Sequence, residues 1–176
     1  MMKVTSLDLF AGIGGMRIGL EKALKKYRFK HECVMASDID KYAKETYLNN
    51  FPSTPFIGDV SGLNNENKIK KIIPKHNLLL AGFPCQPFSR AGHKKGLEDT
   101  RGTLFYYIAK ILSSKKPDAF ILENVRGLKE HDEGKTLEIM LKVLRKKYFV
   151  PDPKVLNSKD FGLPQNRARI FIVGIR

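Results

Sequence analysis

Two cysteines in 176 residues, Cys33 and Cys85, are too few and too far apart for a disulfide scaffold, and without a Cys-x-x-Cys pair they do not make a zinc site. No metal centre is expected. No apolar run approaches the roughly 18 residues of a membrane span, and residues 1–6 lack the apolar core of a signal peptide. These absences place the chain in a reducing cytoplasm with no membrane partner. Acidic residues also fall short, 18 against 32 Lys plus Arg, and the resulting net charge of +14 suits a polyanion such as nucleic acid. The cations lie at Lys25-Lys26, Lys68 to Lys75, Lys94-Lys95, Lys115-Lys116 and Lys146-Lys147, where solvated helix faces and a basic groove are equally good readings. No repeat, low-complexity stretch or flexible linker interrupts the chain, so residues 1–176 are expected to form one domain around one core.

Within that domain the stretch that stands out is residues 78–89, an apolar run that breaks abruptly into Phe-Pro-Cys-Gln-Pro-Phe-Ser. Strands of an α/β sheet end at a carboxyl edge where ligands bind, which puts Cys85 at such an edge. Pro84 and Pro87 flank the cysteine, fix their own φ and bias the preceding residues towards extended geometry, so the thiol is held in one direction. Fixed orientation is what a nucleophile needs. Cys33, in an apolar segment without loop residues, reads as a core side chain.

Residues 4–10 read as a strand that ends in Ala11-Gly12-Ile13-Gly14-Gly15, after which Met16, Leu20, Ala23 and Leu24 recur at helical spacing. Glycines there let backbone approach a ligand, and the helix behind them offers free N–H groups. A pyrophosphate-binding G-x-G-x-x-G would need glycine at position 17, where Arg17 stands, so a dinucleotide is disfavoured. Residues 32–36 give a second strand followed by Asp38, whose two oxygens suit ribose hydroxyls, while Asp40 can cap a helix over 41–50.

A short strand at 55–57, a basic helix at 66–73 and the strand 77–82 follow, then a polar loop over 90–102 that is too long for a compact connection. Thr103 caps a helix with an apolar face of Leu104, Tyr107, Ile108, Ile111 and Leu112. Residues 119–122 form a strand with Glu123-Asn124 at its carboxyl edge, and a helix over 136–147 buries Leu137, Met140, Leu141 and Leu144. Val155-Leu156 and residues 170–175 close the chain as an antiparallel, hairpin-like pair. Arg167 and Arg169 alternate on extended chain and so can point to one side. The predicted fold is α/β, a doubly wound, mostly parallel seven-stranded sheet.

Gly-Phe-Pro-Cys-Gln-Pro-Phe-Ser resembles the catalytic loop of the cytosine-5 DNA methyltransferases of bacterial restriction-modification systems. Four further stretches match in the family's order: Asp8 to Gly15, Ser37 to Asp40, Glu123-Asn124-Val125 and Gln165 to Arg169. The resemblance spans essentially the whole chain and implies a Rossmann-like fold that binds S-adenosylmethionine. It assigns Cys85 as the thiolate that adds to carbon 6 of cytosine, Glu123 as the group on the exocyclic amine and ring nitrogen 3, and Arg167 and Arg169 as charges near the flipped base. The cofactor set it implies is Phe10, Ala11, Gly12 and Gly14 for the methionine end, Asp38 for the ribose, Ile39, Asp59 and Val60 around the adenine, with Pro84 and Leu104. Gln86, Ser89, Arg90, Lys94, Lys95 and Arg101 would form a lid over double-stranded DNA. Asn77 stands where the family usually has aspartate, at the far end of its strand.

Family members continue with a region that reads DNA sequence and a last helix that packs back on the first strand. All five motifs are spent by Arg169, so these are expected from a second polypeptide, and the surface near Val4 to Leu9 is expected to lie uncovered. Two alternatives stay open: methylation of RNA cytosine by the same residues, and a catalytically silent S-adenosylmethionine-binding subunit.

Overall fold

The structure, a computed structural model, describes residues 2–84 and 103–176. Cys85 and the expected lid residues Gln86, Ser89, Arg90, Lys94, Lys95 and Arg101 lie outside the described residues. In chain order the elements are β1 (Lys3–Leu9), α1 (Gly15–Lys26), β2 (Lys30–Ser37), α2 (Lys41–Asn50), β3 (Phe56–Ile57), α3 (Glu66–Ile72), β4 (Leu78–Gly82), α4 (Leu104–Lys115), β5 (Ala119–Val125), α5 (Lys135–Leu144), β6 (Lys154–Asn157) and β7 (Ala168–Ile175). They build one sheet in the order β3-β2-β1-β4-β5-β7-β6. Strands β1 to β5 are parallel, and β7 runs antiparallel to both β5 and β6. The antiparallel pair expected from the sequence is present, but β7 is inserted beside β5, and β6 becomes the edge. Strand order reverses between β1 and β4, which opens a crevice at their carboxyl ends.

Pleat alternation sorts the side chains of this sheet into two unlike faces. Leu7, Leu9, Leu79, Ala81, Phe120, Leu122, Ile170 and Ile172 point to one side and pack under α3, α4 and α5 with Ile69, Ile108, Ile111, Leu112, Met140 and Leu144. Each large side chain buried there contributes about 1.5–3 kcal/mol. The stripe of α4 is wider than the sequence spacing gave: Phe105 and Ala109 are buried as well, whereas Leu104 and Tyr107 are half-buried. The cause is that α4 touches α3 on one flank and α5 on the other as well as the sheet.

Ser6 and Asp8 point to the opposite face, where α1 and α2 lie, and the packing there is polar. Arg17 donates to Glu21 Oε1 at 2.8 Å, Thr54 Oγ1 at 2.7 Å and the Tyr47 hydroxyl at 3.2 Å, and its guanidinium sits 3.8 Å from the centroid of Phe51. Arginine thus stands where a dinucleotide motif would have glycine because it fastens α1 to α2 and to the segment before β3. Cys33 is 5% exposed and belongs to the small core under α2, as expected. Three of the lysine clusters fall in or beside last turns of helices, Lys25 and Lys26 in α1, Lys70 and Lys71 in α3, Lys115 in α4, where cations complement the helix dipole. Those helices run back against the strands, so these charges gather at the edge opposite the crevice. They do not line a basic groove.

Gly174 of β7 has no room for a side chain, because a Cβ there would lie 2.2 Å from Phe120 Cε1. Phe120 is fully buried and stacks edge-on against Tyr148 with centroids 5.0 Å apart, so the ring cannot retreat. Gly174→Ala should therefore lower stability by about 1–3 kcal/mol in urea unfolding, the usual cost of overpacking. Gly62→Ala, whose Cβ would meet nothing within 4 Å, is the matched control and should change little. Equal stability of the two variants would contradict this packing.

Candidate active site

The connection from β1 into α1 is a turn with three left-handed residues. Phe10 (φ 54°), Gly12 (φ 54°) and Gly14 (φ 92°) all adopt it, and a non-glycine residue in that region costs about 1–3 kcal/mol that its surroundings must offset. Those surroundings are visible: Ala11 N–H donates to Ser37 O at 2.9 Å, Gly12 N–H to Asp38 Oδ2 at 2.8 Å, and the Phe10 ring packs on Phe83 at 6.5 Å. Gly14 is also demanded by packing, since a Cβ would lie 2.7 Å from the Phe51 ring. Gly12 differs, because nothing lies within 4 Å of where its Cβ would be, and its backbone borders open space.

Asp38 therefore ties the first and second strand ends together. Its Oδ1 accepts from Asp40 N–H at 2.9 Å, and each oxygen keeps a further lone pair. Beside it Ile39 is 80% exposed, an isoleucine held out as a platform. Asp40 caps α2 by accepting from Tyr42 and Ala43 N–H, as its sequence position predicts. Asp59 accepts from Ser61, whose side-chain and backbone hydrogen bonds hold the carboxyl below its ordinary range. Val60 departs from expectation: its side chain is 2% exposed and belongs to the main core, so only backbone there can meet a ligand.

On the far side of the crevice, Glu123 lies inside β5, opposite Gly82 of β4 and Phe171 of β7. Its Oε1 pairs with Arg169 Nε at 2.9 Å, and both side chains are about one-fifth exposed. Gly82 leaves the space this carboxylate occupies, since a Cβ on it would come within 3.3 Å of Glu123 Oε2. Arg167 precedes β7, is exposed, and lines the same groove as Arg169 and Glu123. The two arginines thus share a side, as extended chain predicts. Pro84 is exposed just past β4, and Leu104 is half-buried at the start of α4.

These groups open on one groove of about 850 Å³, which runs from Phe10 and Ala11 past Met16, Gly19 and Ala23 of α1 to Ile121, Phe171 and Arg167. Its position corrects one expectation. Leu7 and Leu9 are fully buried, and the uncovered apolar surface lies instead on the sheet face beside α1, where Leu156, Val173 and Ile175 are 39%, 38% and 57% exposed. The helix α1 has no fully buried residue, so its stripe of Met16, Leu20 and Ala23 serves the groove. Among the described residues no cluster could hold a metal ion, and no helix is long and apolar enough to cross a membrane. Ser6, His31 and Glu21 line up as in a hydrolase triad, at 2.9 and 3.3 Å, but Ser6 is fully buried and the trio pins β1 to β2 and α1.

The family model for C-5 cytosine-specific DNA methylase matches residues 4–176. The chain belongs to that family. Among curated relatives of this methylase chain, the Type II methyltransferase M.HpaII of Haemophilus parainfluenzae is 50% identical over 175 residues, covering 98% of this chain and 46% of the relative. M.BanI of Aneurinibacillus aneurinilyticus is 49% identical over 174 residues, covering 99% and 39%. The chain thus spans about half the length, or less, of the curated relatives it matches. The solved structure of the S. pombe Dnmt2 methyltransferase superposes with a TM-score of 0.73 at 29% identity, covering 98% of this chain and 50% of that one.

One residue that sequence reading left without a role is Asp8. It is 1% exposed and lines the groove; its Oδ2 accepts from Tyr47 at 3.2 Å while its Oδ1 has no partner. Burial pushes this carboxyl up to about 7 despite the Tyr47 hydrogen bond and the nearby Arg17. A folded-state value above the ordinary 3.8 means the folded chain holds the proton more tightly, so stability is full below 3.8 and is lost as pH rises through about 7. Asp8→Asn avoids that loss. It should be more stable than the parent at pH 8 by a few kcal/mol at most, since each tenfold change in proton affinity is worth about 1.4 kcal/mol, and the gap should close towards pH 4 in thermal unfolding. A gap independent of pH would contradict the buried carboxylate.

Proposed function

We propose that this chain is the cofactor-binding and catalytic part of an enzyme that transfers a methyl group from S-adenosylmethionine to carbon 5 of cytosine in double-stranded DNA. The observation that carries the reading is the meeting, on one groove, of the glycine turn with Asp38 and of Glu123 with Arg169, on a chain of this family. The residues fit the cofactor: open space at Gly12, free lone pairs on Asp38 and an exposed Ile39 suit a methionine end, a ribose and an adenine. When bound, S-adenosylmethionine supplies the electrophilic methyl.

The protein's part is to make carbon 5 nucleophilic. Addition of the Cys85 thiolate to carbon 6 turns the ring into an enamine, and loss of the carbon 5 proton with expulsion of the thiolate restores it. An ordinary cysteine with pKa near 8.5 is only a few per cent ionised at pH 7, and Arg167 is the cation that would raise that fraction. Glu123 faces the exocyclic amine and nitrogen 3. Its ion pair with Arg169 orients the carboxylate and must be shared with the base during the reaction. The target stands inside a duplex, so the base is swung out, at a cost of a few kcal/mol that contacts elsewhere offset.

Those contacts are assigned to a recognition region and a closing helix on the part of the relatives this chain does not span, carried on a second polypeptide or on further chain. The groove beside α1 is where a closing helix fits, because Gly15, Gly19 and Ala23 give α1 a flat flank there. Charge alone binds DNA only to about 10⁻⁴–10⁻⁶ M and without sequence preference.

Two measurements test this reading. In calorimetry S-adenosylmethionine should bind the 176-residue chain, and Asp38→Ala and Gly12→Val should each weaken it at least tenfold; full affinity in both variants would sink the cofactor assignment. In a methyl-transfer assay on mixed-sequence duplex the chain alone should be silent until the missing half is supplied, and Cys85→Ser should then abolish transfer and trapping by 5-fluorocytosine DNA. Site-specific methylation by the lone chain would overturn the division of labour.

A further inference from the structure

The strands β4 and β5 part company at the crevice. Their backbone ladder runs from Leu78 opposite Ala119 to Gly82 opposite Glu123 and stops, whereas β5 continues through Asn124 and Val125, held by Ile170 and Arg169 of β7. One step past the last rung, a side chain takes over from the ladder. Asn124 Nδ2 donates to the Phe83 carbonyl at 2.8 Å, and Asn124 Oδ1 accepts from Val125 N–H at 2.8 Å. The second bond fixes which end of the amide faces Phe83. Both residues are buried, Asn124 at 2% and Phe83 at 5% exposure.

This carbonyl belongs to the peptide bond that enters Pro84. Proline has no N–H with which to settle its own orientation, so the peptide plane is set by what holds the oxygen in front of it. The Phe83 ring is itself clamped between Phe10 at 6.5 Å and Phe105 at 6.2 Å. Ring and carbonyl together leave the chain one direction of exit from β4. Asn124 reaches this point from the face of β5 opposite to Glu123, so it does not share the groove with that carboxylate.

We propose that Asn124 is a positioning residue for the nucleophile: its amide aims the chain leaving β4, and so aims the Cys85 thiol two residues further on. The inference rests on the reading of Cys85 as nucleophile. Asn124→Ala removes the donor, and Asn124→Asp keeps the acceptor for Val125 but turns an oxygen towards the Phe83 carbonyl, so the two variants should behave alike if the donor is what matters.

The test is the pH dependence of Cys85 alkylation by iodoacetamide in the 176-residue chain, read by peptide mass, with buried Cys33 as internal reference. An aimed thiol near Arg167 should react with an apparent pKa below that of free cysteine, about 8.5. In both variants the midpoint should move up towards that value, with affinity for S-adenosylmethionine within twofold of the parent. A midpoint unmoved in both variants, or one that moves only together with loss of cofactor binding, overturns the proposal. If the parent itself titrates as free cysteine while the variants match it, the assignment of Cys85 as an activated nucleophile fails as well, which distinguishes the two failures.

Discussion

Everything at the crevice depends on a turn tight enough to reverse the chain between β1 and α1. Three of its residues are left-handed, one of them a phenylalanine, and the turn holds because the second strand end grips it through Ser37 and Asp38. Its consequences spread in both directions. Outward, the backbone at Gly12 is bared to the crevice. Inward, Gly14 lets α1 settle on Tyr47 and Phe51 of α2, which brings Arg17 to Thr54 and Tyr47. Were the turn relaxed, α1 would lose its seat and the groove one wall.

The two faces of the sheet divide stability from chemistry. Under α3, α4 and α5 the side chains are apolar and closed off, which stabilises the fold without asking anything of polar groups. Across the sheet the side chains are polar near α1 and α2 and uncovered beyond them. A carboxyl without a full set of partners at Asp8, an ion pair at Glu123 and exposed strands at Val173 and Ile175 all lie on this second face. Their cost is what a surface meant to receive ligands and further chain must carry.

Much of this was legible in residue order. The period-two and period-3.6 patterns located all twelve elements, with ends off by one to three residues, and the breaks at Gly12, Pro84 and Glu123 marked the carboxyl edge. Helix α5 stops at Leu144 and α3 at Ile72, both short of expectation. Patterning failed where a residue's partners come from elements far away in sequence. Nothing around Val60 says that it joins the main core, or that Phe105 and Ala109 are buried because α4 lies between two helices. Lysine pairs that suggested a groove are helix ends at the opposite edge, since composition counts charge without placing it.

By itself the sequence determined the family, the strand ends that carry Phe10, Asp38 and Glu123, and the side shared by Arg167 and Arg169, because these follow from local spacing and pleat. Tertiary structure alone decided that β7 slips between β5 and β6, which is what brings Arg169 to Glu123 across 46 residues of chain. It also decided that Asn124 closes the gap where β4 and β5 separate, and that Asp8 is left with a bare oxygen. The physical reason is common to all three. Hydrogen bonds and desolvation act between groups that are near in space, and the order of strands in a sheet, which no local pattern records, chooses which groups those are.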